Sequence, residues 1–230
     1  MQKIIVVAGT KVDADMGVNL LKTYDFNSIA CPISESPYQQ TQLQNNPALL
    51  FDVVLEKIHL VLHQYKLNQA IIFIYCNSLS IAIDLKKLSQ ILKLSIISPL
   101  DGYLDKIKGL NHIGLLAANT QSAGRIEQFL YKQSASLKYV NGIGCLDLVD
   151  DIENNLSCET LIFKHGLILQ LEIMAQKGAE SVILGCTHFS YFHLQLEKML
   201  IDSQVTIELI EPSLEMLNLL KVKLIQLEII

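Results

Sequence analysis

Short apolar runs rich in β-branched residues alternate with longer amphipathic stretches along most of this chain. Lys3–Ala8 is the first such run, and Gly9-Thr10 breaks it. Residues 16–24 follow with helical spacing. Residues 31–46 are polar and punctuated by Pro32 and Pro37, which predicts a loop with a short helix. Pro47 suits a first helical turn and opens a helix expected to run to about residue 66, with Leu50, Val54 and Ile58 on its apolar face. Residues 70–75 read as the next strand, 81–92 as a helix, and Ser95–Ile97 as a short strand before Pro99.

The pattern then restarts. His112–Ala117 reads as a strand running into Asn119-Thr120, with a helix over 123–133. Residues 137–139 are a weak strand and 141–144 a turn. A helix over 161–177 ends at Gly178, where a left-handed cap is wanted. A strand over 181–184, a helix over 192–200, a strand over 205–210 and a helix over 213–227 complete the chain. Such alternation predicts an α/β protein with mostly parallel sheets. The restart predicts two similar lobes related by a pseudo-two-fold axis, each a sheet flanked by helices. The first is expected over 1–97 with 206–230, the second over 98–205, and a cleft between them is the natural place for a site.

The most informative repeat lies inside that duplication. Ala70-Ile-Ile-Phe-Ile-Tyr-Cys76-Asn77-Ser78 and Glu180-Ser-Val-Ile-Leu-Gly-Cys186-Thr187-His188 are both apolar runs that end on a cysteine and turn polar. Each half also has a strand ending in a threonine-bearing loop, at Thr10 and at Thr120.

Composition narrows the function classes. Of 230 residues 50% are hydrophobic and 18% charged, and the formal net charge is −5. The mean hydropathy is +0.34, yet no apolar run approaches the roughly 20 residues that span a bilayer. The absence of a basic run argues against a nucleic-acid groove. Residues 1–8 read as a strand and not as a signal peptide. The five cysteines form no C-x-x-C pair, which excludes a zinc ribbon or thioredoxin motif. The expected compartment is a reducing cytoplasm with thiols kept free.

In open α/β sheets ligands sit beyond the carboxyl ends of strands, where all four loops lie. Cys76 and Cys186 each precede a predicted helix, whose positive end favours a thiolate. The hydroxyls and N–H groups of Asn77, Ser78, Thr187, Asn119 and Thr120 are candidates to bind a carboxylate. Two thiols facing one small anion suit either disulfide formation or proton transfer on two faces of a carbon. His188 is placed to assist Cys186. Asp13 and Asp15, after the first strand, compete to assist near Cys76 or to hold a substrate ammonium, and both also read as helix-capping residues.

These residues resemble a known family. Gly185-Cys186-Thr187-His188-Phe189 is similar to the G-C-T-H-F-P signature of glutamate racemases, and Cys76-Asn77-Ser78 to their C-N-T. The paired cysteine motifs are shared by the wider aspartate/glutamate racemase superfamily, which includes hydantoin racemases, maleate isomerases and arylmalonate decarboxylases. The resemblance covers most of the chain. It implies a two-lobed enzyme without cofactor, with Cys76 and Cys186 as opposed acid and base acting on glutamate or aspartate. If the substrate is glutamate, it implies D-glutamate supply for bacterial peptidoglycan.

The departures lie in the substrate loops. The family's Asp-Ser-Gly has its nearest match at Asp15-Met16-Gly17, with Asp13 competing. Its Pro-Tyr-Gly becomes Pro37-Tyr38-Gln39, which makes Tyr38 a candidate substrate contact. Ser190 follows Phe189 where the family has proline. The alternatives are an isomerase or decarboxylase of another small acid, or a non-catalytic amino-acid-binding homologue.

Other groups read as structure. A single cysteine after a buried strand is usually a small core side chain, and Cys31, Cys145 and Cys158 are read so. Glu56, His59 and His63 have helical spacing that resembles a metal face but read as a solvated one, with no fourth ligand nearby. Asp147, Asp150, Asp151 and Glu153 form an acidic cluster. The resemblance implies that one of them borders the site, near the family's second histidine. The helix after Pro212 reads as core or as a homodimer surface.

Overall fold

The computed structural model describes residues 3–228. Its chain divides into two units, Met1–Gly102 with Ser213–Ile230, and Tyr103–Pro212. The first unit runs β1 (Lys3–Ala8), α1 (Lys11–Lys22), β2 (Ser28–Pro32), α2 (Pro37–Gln44), α3 (Pro47–Gln64), β3 (Ala70–Ile74), α4 (Asn77–Ala82), α5 (Leu85–Leu92), β4 (Ser95–Ile97) and α6 (Pro99–Tyr103), which ends at the division. The second holds β5 (His112–Ala117), α7 (Thr120–Gln133), β6 (Tyr139–Gly144), α8 (Leu146–Glu153), α9 (Cys158–Lys164), α10 (Leu167–Gln176), β7 (Ser181–Gly185), a 3-10 turn (Thr187–Tyr191), α11 (His193–Asp202) and β8 (Glu208–Ile210). The last helix, α12 (Ser213–Glu228), belongs with the first unit.

Each unit is built on one four-stranded, wholly parallel sheet. Their orders are β2-β1-β3-β4 and β6-β5-β7-β8, so each strand of one sheet has a counterpart four places later in the other. β1 and β3 are central, and every residue of β3 is buried. Parallel strands covered by helices on both faces read as unbroken apolar runs, which is why the sequence predicted them. The fold class expected from the alternation is the one observed.

Four local differences have physical causes. β2 and β6 are edge strands, and their sequences SIACP and YVNGIG carry no strong apolar pattern. They are strands because β1 and β5 offer them a ladder, from Ile4↔Ser28 to Ala8↔Pro32 and from His112↔Tyr139 to Ala117↔Gly144. Residues 141–144, read as a turn, therefore lie in a strand. At its end Gly144 meets the start of α7, where a Cβ would stand 2.2 Å from the Thr120 backbone nitrogen. The helix predicted over 81–92 is two helices, interrupted where Asp84 caps α5 by accepting from the Lys87 N–H. The helix predicted over 161–177 likewise breaks at Gly166, which has φ +58. Gly178, at φ +91, takes the left-handed conformation expected of it.

The return to the first unit begins at Ser213 and not at 206. β8 pairs with β7 from Ser181↔Glu208 to Ile183↔Ile210, which holds residues 208–210 in the second sheet. Only after it does α12 bury Met216, Leu217 and Leu220 in the core of the first unit. Burying three such side chains is worth about 1.5–3 kcal/mol each. Among the described residues no helix is long and apolar enough to cross a membrane.

Candidate active site

In the first unit the candidate residues gather where β1 and β3 end side by side. Val7 pairs with Ile74, and the Tyr75 N–H donates to the Val7 carbonyl at 2.8 Å. That pairing sets the next residue, Cys76, against the Gly9-Thr10 loop. Cys76 has extended backbone, stands at the N-cap of α4 and is buried. Its Sγ lies 3.4 Å from the Ser78 hydroxyl. Asn77 and Ser78, in the first turn of α4, are buried beside it.

The loop beneath the thiol is clamped. The Gly9 carbonyl accepts both the Ser34 N–H at 2.8 Å and the Ser34 hydroxyl at 2.7 Å. A Cβ at Gly9 would lie 3.4 Å from Cys76 Sγ and 3.2 Å from Gln40 Cγ. Thr10 caps α1, its Oγ1 accepting the Asp13 N–H at 3.3 Å. The cap starts that helix at Lys11, earlier than apolar spacing alone indicated.

The two competing aspartates are separated by burial. Asp13 is 1% exposed. The Asp15 side chain is 47% exposed and ion-paired to Lys11 at 2.5 Å on the solvent face of α1. Tyr38 is also exposed, whereas Gln40, two residues on, is buried.

The second unit repeats the arrangement at the ends of β5 and β7. Cys186 is buried in extended backbone just before the 3-10 turn, with Thr187 and His188 also buried. Its Sγ stands 3.6 Å from His188 Nδ1, and His188 Nε2 is 2.9 Å from Glu153 Oε1 at the end of α8. Glu153 accepts the hydrogen bond of Nε2–H, which holds the ring proton there and leaves the Nδ1 lone pair facing the thiol. This is the geometry of a thiol coupled to an oriented base. Phe189 and Phe192, with ring centroids 5.4 Å apart and both fully buried, anchor the segment that carries the motif.

Asn119 is buried and caps α7. Its Oδ1 accepts the Ser122 N–H at 2.8 Å, and the Ser122 hydroxyl accepts the Asn119 N–H at 3.2 Å. The helix therefore starts at Thr120, which is exposed. Cys186 acts electrostatically on two further groups. Burial pushes the Cys145 thiol up to about 12, with the Cys186 charge adding to the rise. Burial, then Glu211, then Cys186 hold the Tyr103 hydroxyl well above its usual range. Both are neutral at ordinary pH.

One expectation weakens. The sequence places each cysteine before a predicted helix whose positive end favours a thiolate. α4 has six residues, and Cys186 precedes only a five-residue 3-10 turn. The backbone N–H groups remain, but aligned peptide dipoles sum along a helix, and these segments are short.

Of the acidic cluster, Glu153 meets His188, while Asp151 is shared by Lys164 at 2.6 Å and His165 at 2.7 Å. Lys164 and His165 hold the Asp151 carboxyl below its usual range. Glu56, His59 and His63 lie on the exposed face of α3. Among the described residues no group of three or more histidine, cysteine, aspartate or glutamate side chains is placed to hold a metal ion. The sequence did not single out Gln40 or Tyr103. The only signal for Gln40 was a polar residue on the inward side of a short helix.

No family model matches this chain, and no curated protein matches it in sequence. Solved structures do match. A glutamate racemase from Francisella tularensis, determined in complex with D-glutamate, superposes with TM-score 0.68 at 18% identity, covering 99% of this chain and 82% of its own. An aspartate racemase homologue from Pyrococcus horikoshii matches with TM-score 0.63 at 15% identity, over 96% of this chain and 99% of its own. An allantoin racemase from Pseudomonas fluorescens matches with TM-score 0.57 at 11% identity, over 99% of this chain and 92% of its own. The duplicated α/β chain described above therefore has the fold of glutamate racemases and aspartate racemase homologues.

Proposed function

We propose that this protein is a cofactor-independent amino-acid racemase that interconverts the L and D forms of a small acidic amino acid, glutamate or aspartate. The observation that carries the reading is topological. Cys76 follows β3 and Cys186 follows β7, the corresponding strands of two sheets with the same order. The duplication therefore gives each unit one buried thiol at the same structural address.

In this reading one cysteine, as thiolate, removes the proton from Cα. The thiol of the other delivers a proton to the opposite face, so the centre inverts and the two thiols exchange protonation states. General acid–base groups positioned in this way contribute on the order of 10²–10⁴ in rate. Asn77, Ser78 and Thr187 bind the carboxylate whose charge spreads as Cα is deprotonated. Asp13, buried after Thr10, serves on the Cys76 side, and the His188–Glu153 pair takes and returns the Cys186 proton. The protein is expected in the cytoplasm, where its thiols stay reduced.

The test is incorporation of solvent deuterium at Cα of L- and D-glutamate and of both aspartates. Exchange with at least one pair, lost in Cys76→Ser and in Cys186→Ser, is the expected result. No exchange with any of the four, or undiminished exchange in both variants, overturns the reading. A second reading, isomerisation or decarboxylation of another small acid, draws on the altered substrate loops, such as Gln39 where the resembled family carries the glycine of Pro-Tyr-Gly. Turnover of acids lacking an α-amino group distinguishes it.

A further inference from the structure

One buried polar group in the first unit has no place in the proton-transfer scheme. α2 buries only two of its residues, Gln40 and Gln44. They are four apart and share one face of the helix, while the partly buried Leu43 packs against the core. Gln40 is 5% exposed, and both Oε1 and Nε2 are shielded from solvent without a hydrogen-bond partner. Burying an amide in this way is unfavourable, and protein interiors almost always pair such groups. Folding does not call for it, because methionine or leucine would fill the volume with no polar group to desolvate.

Its location supplies a reason. The Cβ position of Gly9 lies 3.4 Å from both Gln40 Cδ and Cys76 Sγ. The amide and the thiol thus both pack beside Gly9. The backbone fixes that geometry: Ser34 clamps the Gly9 carbonyl, and Ser36 caps α2 by accepting the Gln39 N–H at 3.2 Å.

We propose that the Gln40 amide recognises the α-amino-acid head group. Oε1 accepts from the ammonium and Nε2 donates to the carboxylate, so that the carbon bearing both lies beside Cys76. The assignment rests on the racemase reading of this site. An amide presents an acceptor and a donor side by side. A carboxylate alone satisfies Nε2 and sets an anion against Oε1, and an ammonium alone does the reverse. A zwitterionic head group satisfies both, so the site selects α-amino acids over the corresponding dicarboxylates.

The experiment compares wild type with Gln40→Met, which removes both polar atoms, and Gln40→Glu, which replaces the donor with a second acceptor. Gln40→Leu stands in if either fails to fold. Glutamate and aspartate are the probes, and glutarate and succinate are the controls without an ammonium. Readouts are the Tm, its shift on ligand addition, and kcat and KM for Cα exchange.

The expected result is a Q40M protein with Tm at or above wild type and KM for the amino acid raised about tenfold or more, with kcat within about threefold, the signature of lost uniform binding. The Tm shifts with glutarate and succinate should be the same in Q40M and wild type. An unchanged KM in a folded Q40M protein overturns the assignment. So does an equal loss for the dicarboxylates, which would make Gln40 a general carboxylate contact. A Gln40-dependent Tm shift with amino acids but no Cα exchange in wild type supports this assignment and overturns the racemase reading. Neither shift nor exchange overturns both.

Discussion

His188 stands between Cys186 and Glu153, its Nδ1 3.6 Å from the thiol and its Nε2 2.9 Å from the carboxylate. Replacing Glu153 with Gln removes the charge that steadies a protonated imidazole while keeping the side-chain shape. Losing such an orienting carboxylate costs about 10–100-fold where it has been measured on histidine ligands. We expect Glu153→Gln to lower kcat for Cα exchange by that order and to shift the pH profile of kcat, with little change in Tm. An unaltered pH profile would remove the histidine from the Cys186 proton path.

Asp13 and Asp15 should behave oppositely. Asp13→Asn alters a buried carboxylate beside the Thr10 loop and is expected to lower kcat/KM at least about tenfold, which is about 1.4 kcal/mol. Asp15→Asn breaks only the exposed pair with Lys11, a type of contact worth about 0.3–0.5 kcal/mol. Its kinetics should match wild type. Steady-state exchange assays on the two variants decide between them, and a damaged D15N with an intact D13N would reverse the assignment.

Gly9→Ala is expected to fold and to lose activity. Its Cβ would meet Cys76 Sγ at 3.4 Å and Gln40 Cγ at 3.2 Å. The nearer contact is with a side chain that can yield, so the fold tolerates it. The space beside the thiol does not, and KM should rise while the Tm stays within a few degrees. A G9A enzyme with wild-type KM would show that this space does not receive substrate.

Gly144→Ala tests the junction of β6 and α7. Its Cβ would stand 2.2 Å from the Thr120 backbone nitrogen, so a strand end or a helix start must move. Overpacking of this kind costs about 1–3 kcal/mol, and here the obstacle is backbone. Urea unfolding should show a loss at or above the top of that range. A loss below about 0.5 kcal/mol, the usual effect of a surface change, would contradict the close approach.

Alkaline pH should destabilise the fold through thiols outside the proposed chemistry. Burial pushes Cys31 up to about 11, against a lowering by Lys57, and pushes Cys145 up to about 12. Both thiols hold their protons in the folded chain, whereas an unfolded thiol releases its proton near pH 8.5. The stabilisation is thus fully present below about pH 8.5 and is lost as pH rises toward the folded values. Unfolding free energy should fall between pH 8.5 and 11, and less steeply in Cys31→Val. Iodoacetamide at pH 8, mapped by mass spectrometry, should leave Cys31 and Cys145 unmodified.

Much of the architecture was legible from local pattern. β1, β3, β5 and β7 are continuous apolar runs because parallel strands covered on both faces have no solvent side. Pro47 and Gly178 marked a helix start and a helix end through their own backbone geometry. β2 was not legible as a strand, and β6 only as a weak stretch over 137–139. Their residues are mixed, and what makes them strands is the hydrogen-bonding edge that β1 and β5 offer. The breaks at Asp84 and Gly166 were hidden by apolar spacing that continues across them.

For the candidate site, the sequence by itself determined the repeated strand–cysteine address and the polar residues that follow each thiol, because chain neighbours share an element wherever it folds. Only the tertiary structure separated Asp13 from Asp15, burying the first and leaving the second on the solvent face of the same helix start. Only it selected Glu153 from four clustered acids, by setting the end of α8 against His188. Only it put the Gln40 amide next to Gly9 and Cys76, since α2 and β3 are distant in the chain and meet through the packing of the sheet. Local periodicity encodes which face of an element is buried; which buried groups touch depends on how the elements are stacked.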